Sequence, residues 1–198
     1  MLLTIASTAH SAEGLYVSGN VGAAVPIDSD MTDPTLPGVV ITFESDTGIA
    51  AGIALGYDFG NNVRAEAEYA YQQNNFSTAS LNGVATVPIT SGDSTTHAGL
   101  LNGYYDFANG SAFTPFISAG VGFAQVEISP IVIGAAAVPG FDDTVFAYQV
   151  GAGVGFAVSP TVTIDVKYRY FGTSNIEVGT TRFEYSSHNV YAGVRVGF

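Results

Sequence analysis

The last nine residues of the chain alternate between apolar side chains and others with a period of two. The apolar positions are Val190, Ala192, Val194, Val196 and Phe198. Arg195 belongs to the other set, and successive side chains of a β-strand point to opposite faces. The segment therefore predicts a strand with one apolar face and one face that carries a cation. A strand that ends on an aromatic residue, with no polar tail, indicates a β-barrel that lies in a membrane.

The same alternation recurs in seven earlier segments, so the chain predicts eight strands of about ten residues each. The predicted strands are Leu15–Val25, Gly48–Phe59, Val63–Gln73, Thr96–Phe107, Thr114–Gln125, Val145–Val158, Val162–Phe171 and Val190–Phe198. Three connections are short turns, and the four long ones are Pro26–Asp46, Asn74–Ser94, Val126–Thr144 and Gly172–Ser187. Short turns at one end and long loops at the other are typical of a transmembrane up-and-down antiparallel β-barrel. The sequence thus predicts an all-β chain in the outer membrane, with both termini in the periplasm.

The composition also favours a membrane barrel. Charged residues make up 11% of the chain, against about 25% in an average soluble domain, while hydrophobic residues reach 47%. No apolar run reaches the ~20 residues of a helical span, so a helical membrane protein is excluded. The net charge of -12 excludes nucleic acid as an expected partner, and the absence of cysteine excludes disulfides and thiolate metal sites.

The first twelve residues, 1–12, are mostly apolar or small, with Ala9 and Ala12 as candidate cleavage points. We expect this segment to be the remnant of a secretory signal peptide, although the positively charged start of such a signal is missing. Residues 13–198 are then expected to form one outer-membrane β-barrel domain.

The positions of the charges decide which face of the barrel points outward. Four of the five Lys and Arg residues lie on the face opposite the apolar stripe. The charged residues of that face are Asp58, Arg64, Glu66, Glu68, Asp106, Asp165, Lys167, Arg169 and Arg195. A soluble barrel would expose this face, but an arginine placed in lipid near the bilayer midplane costs about 2–4 kcal/mol. We therefore expect the charged face to line the interior as an ionic network.

Each charge of this network needs a partner, because an unpaired buried charge costs several kcal/mol. The expected pairs are Asp58 with Arg64, Asp165 with Arg195, and Glu66 and Glu68 with Lys167 or Arg169. An eight-stranded interior is just wide enough for side chains to fill it, so this network argues against a continuous water channel. The glycine-rich inner faces of the fifth and sixth strands weaken that argument, since they could leave cavities.

Several segments resemble the opacity-type, OmpA-like family of eight-stranded outer-membrane surface proteins. The matching segments are Gly14–Val17, Tyr105–Ile117, Gln149–Gly155, Ser159–Tyr170 and, best of all, Ala192–Phe198. The resemblance covers the whole barrel and leaves the loops unmatched. Because function in this family resides in the loops, the resemblance implies location and architecture strongly and a specific partner hardly at all.

Two histidines, His97 and His188, are the candidates for the catalysis found in some lipid-modifying barrels. Ser94, Ser186 and Ser187 lie nearby, but neither histidine is part of a His-x-Ser arrangement. We favour the alternative that both mark strand ends near the extracellular headgroups. No catalytic residue is expected.

The first long loop is acidic, and the third is apolar. Carboxylates of the first loop are Asp28, Asp30, Asp33, Glu44 and Asp46. They lack the spacing and turn glycine of a calcium loop, so we expect a solvated acidic loop, no metal and no cofactor. In the third loop, Ile131, Ile133 and Phe141 could contact a partner, because exposed apolar patches often do. The favoured alternative is that the flanking strands extend above the membrane and these residues pack on neighbouring loops or lipid.

The expected function is that of a non-enzymatic surface protein, acting in envelope structure or adhesion through its extracellular loops. A narrow porin or conduit for small, apolar molecules is the alternative, and a lipid-modifying enzyme is a remote one. The expected partners are outer-membrane lipid and lipopolysaccharide, the barrel assembly machinery, and an extracellular ligand or host surface. The last strand is expected to serve as the assembly signal, and the protein to be a monomer.

Overall fold

A computed structural model describes residues 13–32, 38–83, 85–133, 136–178 and 181–198. The expected signal-peptide remnant, 1–12, lies outside these ranges. The strands are β1 (Gly14–Pro26), β2 (Ser29–Thr32), β3 (Val40–Ser45), β4 (Gly48–Asp58), β5 (Val63–Leu81), β6 (Ala85–Pro88), β7 (Asp93–Asp106), β8 (Phe113–Ile128), β9 (Ile131–Ile133), β10 (Ala136–Val138), β11 (Phe141–Ala157), β12 (Val162–Thr173), β13 (Ile176–Val178), β14 (Thr181–Phe183) and β15 (Ser186–Gly197). No helix in the described ranges is long and apolar enough to cross a membrane.

Eight of these strands close into a ring. In ring order they are β1, β4, β5, β7, β8, β11, β12 and β15, which is also their order along the chain. Every neighbouring pair in the ring is antiparallel. The ring closes where β15 pairs with β1, from Tyr16 opposite Gly197 to Pro26 opposite Ser187. The predicted eight-stranded up-and-down antiparallel barrel is confirmed.

The exposure of the side chains shows which face of the ring is the outer one. Leu101, Val21 and Ile53 are 69%, 68% and 66% exposed, whereas Arg64 and Arg169 are 2% and 3% exposed. A water-soluble barrel would reverse this arrangement, because burying a charge and exposing a continuous apolar wall are both unfavourable in water. The apolar wall therefore faces lipid, and the charged face lines the lumen.

The short turns lie at one end of the ring, and the start of β1 and the end of β15 lie at that same end. Gly14 pairs opposite Asp58, next to the β4–β5 turn, where Gly60 and Asn62 both adopt a φ of 70°. That backbone conformation is open to glycine and tolerated by asparagine. In a barrel with short periplasmic turns, this end faces the periplasm.

The opposite, extracellular end contains more β-structure than expected. The long connections predicted as loops contain seven short strands, and β5, β8 and β11 extend beyond the wall of the barrel. Six strands form a continuous sheet in the order β13-β14-β2-β3-β5-β6, which we call the extracellular sheet. The loop prediction was wrong in this respect because the extended part of β5 supplies a free edge for β3 and β6, whose backbone groups need partners.

Candidate functional site

The lumen contains the charged residues predicted from the sequence, and Arg64 organises its periplasmic half. Nε and Nη2 of Arg64 donate to the two carboxylate oxygens of Asp106 at 2.6 and 2.8 Å. Nη1 donates to the Tyr16 hydroxyl at 3.2 Å and lies 3.8 Å from Glu66. The guanidinium carbon is 4.4 Å from the ring centroid of Tyr104, a cation–π distance.

The two-point partner of Arg64 is therefore Asp106 of β7, and the expected pairing with Asp58 needs correction. Asp58 lies opposite Arg64 on β4 and accepts a hydrogen bond from the backbone N–H of Gly60 at 2.9 Å. The planar guanidinium instead matches both oxygens of Asp106, which is the stronger geometry.

A second pair spans the lumen. Nη1 of Arg169 on β12 donates to Glu68 on β5 at 2.9 Å, and these strands lie on opposite sides of the eight-membered ring. The other oxygen of Glu68 accepts from Asn102 at 2.6 Å and from Gln149 at 3.2 Å. Arg169 also donates to the Tyr191 hydroxyl and lies over its ring. Glu68 thus has the cation that the sequence suggested.

The remaining cations differ in their contacts. Nη2 of Arg195 donates to Asp165 at 3.1 Å, as expected for that pair. Lys167 forms no ion pair among the described residues, and its Nζ lies 5.2 Å from the ring centroid of Tyr191. Glu66 accepts from the Tyr104 hydroxyl at 2.7 Å, so it does not use Lys167 as its partner. The fifth cation, Arg182, is on β14, and its side chain is outside the described part of the structure.

These contacts fill the cross-section of the lumen. We call the Arg64–Asp106 group and the Arg169–Glu68 group the two ionic layers. A cavity between them has a volume of about 20 Å³, with Ser18, Arg64, Glu66, Lys167 and Tyr191 in its lining. A volume of that size holds about one or two water molecules. This cavity therefore has room only for isolated water.

Sequence reasoning missed the neutral partners of the network. The side chains concerned are Tyr16, Tyr104, Tyr191, Asn102 and Gln149. All of them lie on the predicted inner faces, so the alternation had placed them in the lumen. A polar residue facing a narrow interior next to charges is itself the signal, because buried polar groups are hydrogen-bonded.

Above the ionic layers the barrel becomes apolar. A cluster of buried side chains fills the upper lumen and extends beneath the extracellular sheet, and Phe43, Phe76 and Phe141 pack against it. Within this cluster lies a cavity of about 50 Å³, which we call the mouth cavity. Its lining residues are Pro26, Ile27, Phe43, Ser45, Phe76, Ser94, Ile128, Ile131, Phe141, Phe183 and Tyr185. The hydroxyl oxygen of Ser94 is buried there without a hydrogen-bond partner among the described residues.

The predicted interaction loop lies partly inside this cluster. Ile131 is 8% exposed and Phe141 is half-buried, with its ring 5.9 Å from that of Phe183. The favoured alternative, extended strands and packing on neighbouring loops, is therefore the one observed at these two positions. The side chain of Ile133 lies outside the described part. Val138 of this segment is exposed, at 52%.

A polar layer separates the mouth cavity from the ionic network below. The Tyr185 hydroxyl, between β14 and β15, lies 3.1 Å from Asn74 Oδ1 and 3.4 Å from Gln72 Oε1. Ser187 donates to the same Gln72 oxygen at 2.9 Å. Burial raises the pKa of Tyr185 to about 12, because the phenolate would lose its hydration.

The histidines lie on the outer wall, each beside tyrosines. His97 Nδ1 is 2.7 Å from the Tyr69 hydroxyl, and His188 Nδ1 is 2.6 Å from the Tyr168 hydroxyl. We call these the two Tyr–His pairs. Ser94 points to the inner face, whereas His97 points outward, so this serine and histidine are on opposite sides of the wall. Ser187 is likewise buried inside, Ser186 is half-buried, and neither shows a hydrogen bond to His188.

The acidic first loop shows no metal geometry where the structure describes it. Glu44 accepts from the Thr78 hydroxyl at 2.7 Å, and Asp46 and Asp28 are exposed. Asp33 and the side chain of Asp30 lie outside the described part. Among the described residues, no group of three or more His, Asp or Glu side chains could hold a metal ion.

The apolar residues of the last strand face lipid. Val190 and Val194 are 56% and 45% exposed, and Phe198 is 76% exposed just beyond the end of β15. Ala192 and Val196 belong to the same face. The strand therefore presents a continuous apolar face, and its role as an assembly signal stays a prediction.

Comparison with known proteins agrees with this architecture. The chain matches the outer membrane protein β-barrel domain family over residues 1–198. The chain belongs to this family. It is 29% identical to the outer membrane protein PagN of Salmonella typhimurium, over 96% of this chain and 87% of PagN. A candidate adhesin of Rickettsia conorii is 29% identical over 82% of this chain and 73% of its own length. The crystal structure of Neisserial surface protein A superposes with a TM-score of 0.62 at 25% identity, covering 93% of this chain and 97% of that one.

The family places the chain in the bacterial outer membrane, where the recognition based on sequence segments had placed it. The family match covers every strand of the barrel. The name of the Neisserial protein describes it as a surface protein, and the name of the Rickettsia protein refers to adhesion.

Proposed function

We propose that the protein is a non-enzymatic surface protein whose extracellular sheet contacts an external surface. The observation that carries this proposal is an ordered sheet standing on a barrel whose lumen is filled by side chains. A filled lumen assigns the barrel the role of a membrane anchor, and the sheet is the part exposed to the surroundings. The name of the Rickettsia relative supports adhesion as the activity.

The chemistry of the extracellular end favours a particular kind of partner. Leu81, Val87 and Val138 are 47%, 42% and 52% exposed and supply apolar contact area. The chain carries a net charge of -12 while four of its five cations are in the lumen, so the outer surface is strongly acidic. A host surface with basic and apolar groups fits this combination, and an anionic surface would be repelled.

Attachment of whole cells tests the proposal. A non-adherent Gram-negative strain that displays the protein should bind host cells, and the variant with Leu81→Ser, Val87→Ser and Val138→Ser should bind about tenfold less, since 1.4 kcal/mol of lost contact gives that factor. Val158→Ser is the matched control, because Val158 is 47% exposed at the periplasmic end. Equal attachment by the triple variant and the wild type would refute this contact surface.

The variant Ile131→Ser distinguishes a residue that contacts the host surface from one that only packs inside the protein. Ile131 is 8% exposed within the apolar cluster, so its replacement should lower stability of the extracellular part. We expect protease sensitivity of the cells' surface protein to rise, and attachment to fall only in proportion to the intact protein that remains.

A second candidate function, uptake or binding of small apolar molecules, rests on the mouth cavity. Four phenylalanine rings and Tyr185 line it, and the buried Ser94 hydroxyl offers one hydrogen bond. Binding of a fluorescent apolar probe that Ser94→Leu abolishes would support this function, because Ser94 is buried in the lining of the cavity and a larger side chain there fills it. A probe that binds both proteins equally would assign the binding to the outer wall.

We propose no catalytic role for the histidines. The Nδ1 of each is occupied by a tyrosine hydroxyl, and Ser94 lies on the other side of the wall from His97. Loss of lipid A deacylation or acyl transfer in His97→Ala or His188→Ala would contradict this. The proposed partners besides the host surface are outer-membrane lipid and the barrel assembly machinery, and we propose that the protein acts as a monomer without a cofactor.

A further inference from the structure

The two Tyr–His pairs repeat one arrangement at two places on the lipid-facing wall. His97 on β7 lies opposite Tyr71 of β5, with ring centroids 5.3 Å apart. His188 on β15 lies opposite Tyr170 of β12, with centroids 5.7 Å apart. In each case the hydroxyl bonded to Nδ1 comes from the tyrosine two residues earlier on that partner strand, Tyr69 or Tyr168. The same arrangement of one histidine and two tyrosines therefore occurs twice on the outer wall.

Positive charge is otherwise scarce on this wall. Four of the five Lys and Arg side chains are in the lumen, and the fifth is on β14 of the extracellular sheet. Among the described side chains of the outer wall, only His97 and His188 can become cationic. Histidine is also the side chain whose charge changes between about pH 5 and 8.

The hydrogen bond to tyrosine makes each pair a better anion site once the histidine is protonated. With a neutral imidazole, the tyrosine hydroxyl donates to Nδ1, so the pair offers Nε2–H as its one free donor. With an imidazolium, Nδ1–H donates to the tyrosine oxygen, and the phenol proton becomes free to donate elsewhere. Protonation thus changes one donor without charge into two donors beside a positive charge. Two oxygens of a phosphate group match that pattern.

An apolar groove adjoins the first pair. It is a wide, shallow depression of the outer wall, and Val17, Gly19, Ile53, Leu55 and Tyr69 are among the residues that line it. Gly19 leaves the groove open, since a Cβ at that position would meet no heavy atom within 4 Å. Tyr69 therefore joins an apolar groove on the lipid side to His97 on the side of the extracellular mouth. A molecule with an acyl chain and a phosphate fits both parts.

The charged groups near His97 lie farther from the membrane. Gln125 of β8 is its register partner, and Glu127 lies on the same face two residues beyond, about 7 Å away along the strand. Asp93 is four residues away on its own strand, and Asp142 of β11 contacts Gln125 at 3.4 Å. None of these carboxylates, all of which the structure describes, forms a hydrogen bond or ion pair with His97.

The surroundings of His188 carry fewer charges. On β12 the facing titratable groups are Tyr168 and Tyr170, and on β1 the register partner is the uncharged Val25. Glu184, four residues earlier than His188, is exposed and is the carboxylate on its own segment. The two pairs therefore have the same arrangement of tyrosines but differ in the number of neighbouring carboxylates.

We propose that the two Tyr–His pairs bind the phosphate group of an anionic lipid in the surrounding leaflet and that binding strengthens when the histidines are protonated. A lipid is the ligand that fits because both pairs lie in the lipid-facing wall and the groove beside the first pair offers apolar contact to an acyl chain. The pairs supply the hydrogen bonds and the charge, and the groove supplies the contact for the chain.

Electron spin resonance of lipids around the intact, refolded protein tests this. The protein is placed in phosphatidylcholine vesicles with a trace of spin-labelled phosphatidylglycerol or spin-labelled phosphatidylcholine. Phosphatidylglycerol keeps one negative charge throughout the range used. Its association relative to phosphatidylcholine should rise about twofold to threefold from about pH 7.5 to about pH 5.5. The variant with His97→Gln and His188→Gln should show no rise.

Two further variants sharpen the result. Tyr69→Phe with Tyr168→Phe keeps both rings and removes the second donor, so the rise should be smaller than in the wild type. Tyr105→Phe, on the lipid-facing wall near the periplasmic end, is the matched control and should keep the full rise. A wild-type ratio that is independent of pH would overturn the proposal, as would a rise that persists without both histidines. Loss of the rise on addition of inorganic phosphate would assign the pairs to soluble phosphate and overturn the lipid as ligand.

Discussion

Arg169 and Glu68 form an ion pair in the middle of the lumen, where the two residues are 3% and 4% exposed. Removing one partner of such a pair leaves the other charge buried without compensation, which costs about 3–5 kcal/mol. We therefore expect Arg169→Met to lower the free energy of unfolding by that amount. Urea titration of the refolded protein in detergent measures it. The double variant with Glu68→Gln should recover much of the loss, because no charge is then left unpaired.

Lys167 provides the matched control for this prediction. It lies two residues from Arg169 on the same strand and the same face, but it forms no ion pair among the described residues. Lys167→Met should change the free energy of unfolding by less than about 1 kcal/mol, since no carboxylate loses its partner. Equal losses in the two single variants would show that volume, and not pairing, determines the effect.

Tyr185 makes stability depend on alkaline pH. Burial raises its pKa from 10.0 to about 12 in the folded protein, so folding favours the protonated phenol. The stabilisation is complete below about pH 10 and is lost as the pH rises toward 12, at up to about 1.4 kcal/mol per pH unit. In Tyr185→Phe the free energy of unfolding should decline less steeply over this interval. Identical slopes for the two proteins, measured by urea titration, would contradict the prediction.

At the level of the strand, the inward glycines make room for large neighbours. Gly56 of β4 lies opposite Tyr16 of β1, and a Cβ at Gly56 would fall within the tyrosine ring. We expect Gly56→Val to displace Tyr16 from Arg64 and to lower the free energy of unfolding by about 1–3 kcal/mol. Gly103→Val is the control, because Gly103 points outward and a Cβ there meets nothing within 4 Å. The shift of the folded band on an unheated gel, followed against temperature, compares the two.

The alternation of side chains was enough to predict the eight barrel strands and their faces. It could not predict the strands beyond the barrel, as β5 shows. Residues after Gln73, in the segment Asn74–Leu81, are mostly polar and lack the alternating pattern, yet they form part of a strand because β3 and β6 pair with them. Pairing between segments distant in sequence leaves little trace in local composition, so the extracellular sheet required the structure.

For the candidate sites, the sequence likewise predicted which face a side chain occupies but not which residue it pairs with. Alternation placed Arg64 and both candidate carboxylates inside, but it could not decide between Asp58 on one neighbouring strand and Asp106 on the other. That choice depends on strand register and on the reach of the side chain. The Tyr–His pairs were missed for the same reason, since their residues come from strands whose register only the structure gives.

The whole molecule combines a filled lumen, an apolar mouth and an acidic exterior. The ionic layers and the polar layer of Tyr185 lie in series along the barrel, so a solute that enters the mouth cavity meets charged side chains before it could cross. Moving an apolar molecule past such groups is unfavourable, and moving an ion requires the pairs to separate. We therefore propose that the molecule as a whole acts as an anchor that presents the extracellular sheet.

Single-channel recording in a planar bilayer tests this description of the whole molecule. The wild-type protein should be silent or show only rare brief openings, because the Arg64–Asp106 and Arg169–Glu68 pairs occupy the lumen. Replacing both members of the central pair, Glu68→Ala with Arg169→Ala, removes two long side chains without leaving a charge unpaired. This variant should give small, steady conductance.

The controls for this recording lie on the two faces of the wall. Tyr105→Ala, on the lipid-facing side, alters side-chain volume outside the lumen and should stay silent. Arg195→Ala leaves Asp165 as a free carboxylate near the periplasmic end, so it should favour cations in whatever openings remain. Steady conductance in the wild type would make the lumen the functional element. The porin interpretation would then replace the anchor, since ions would have to pass the Arg169–Glu68 pair while it is intact.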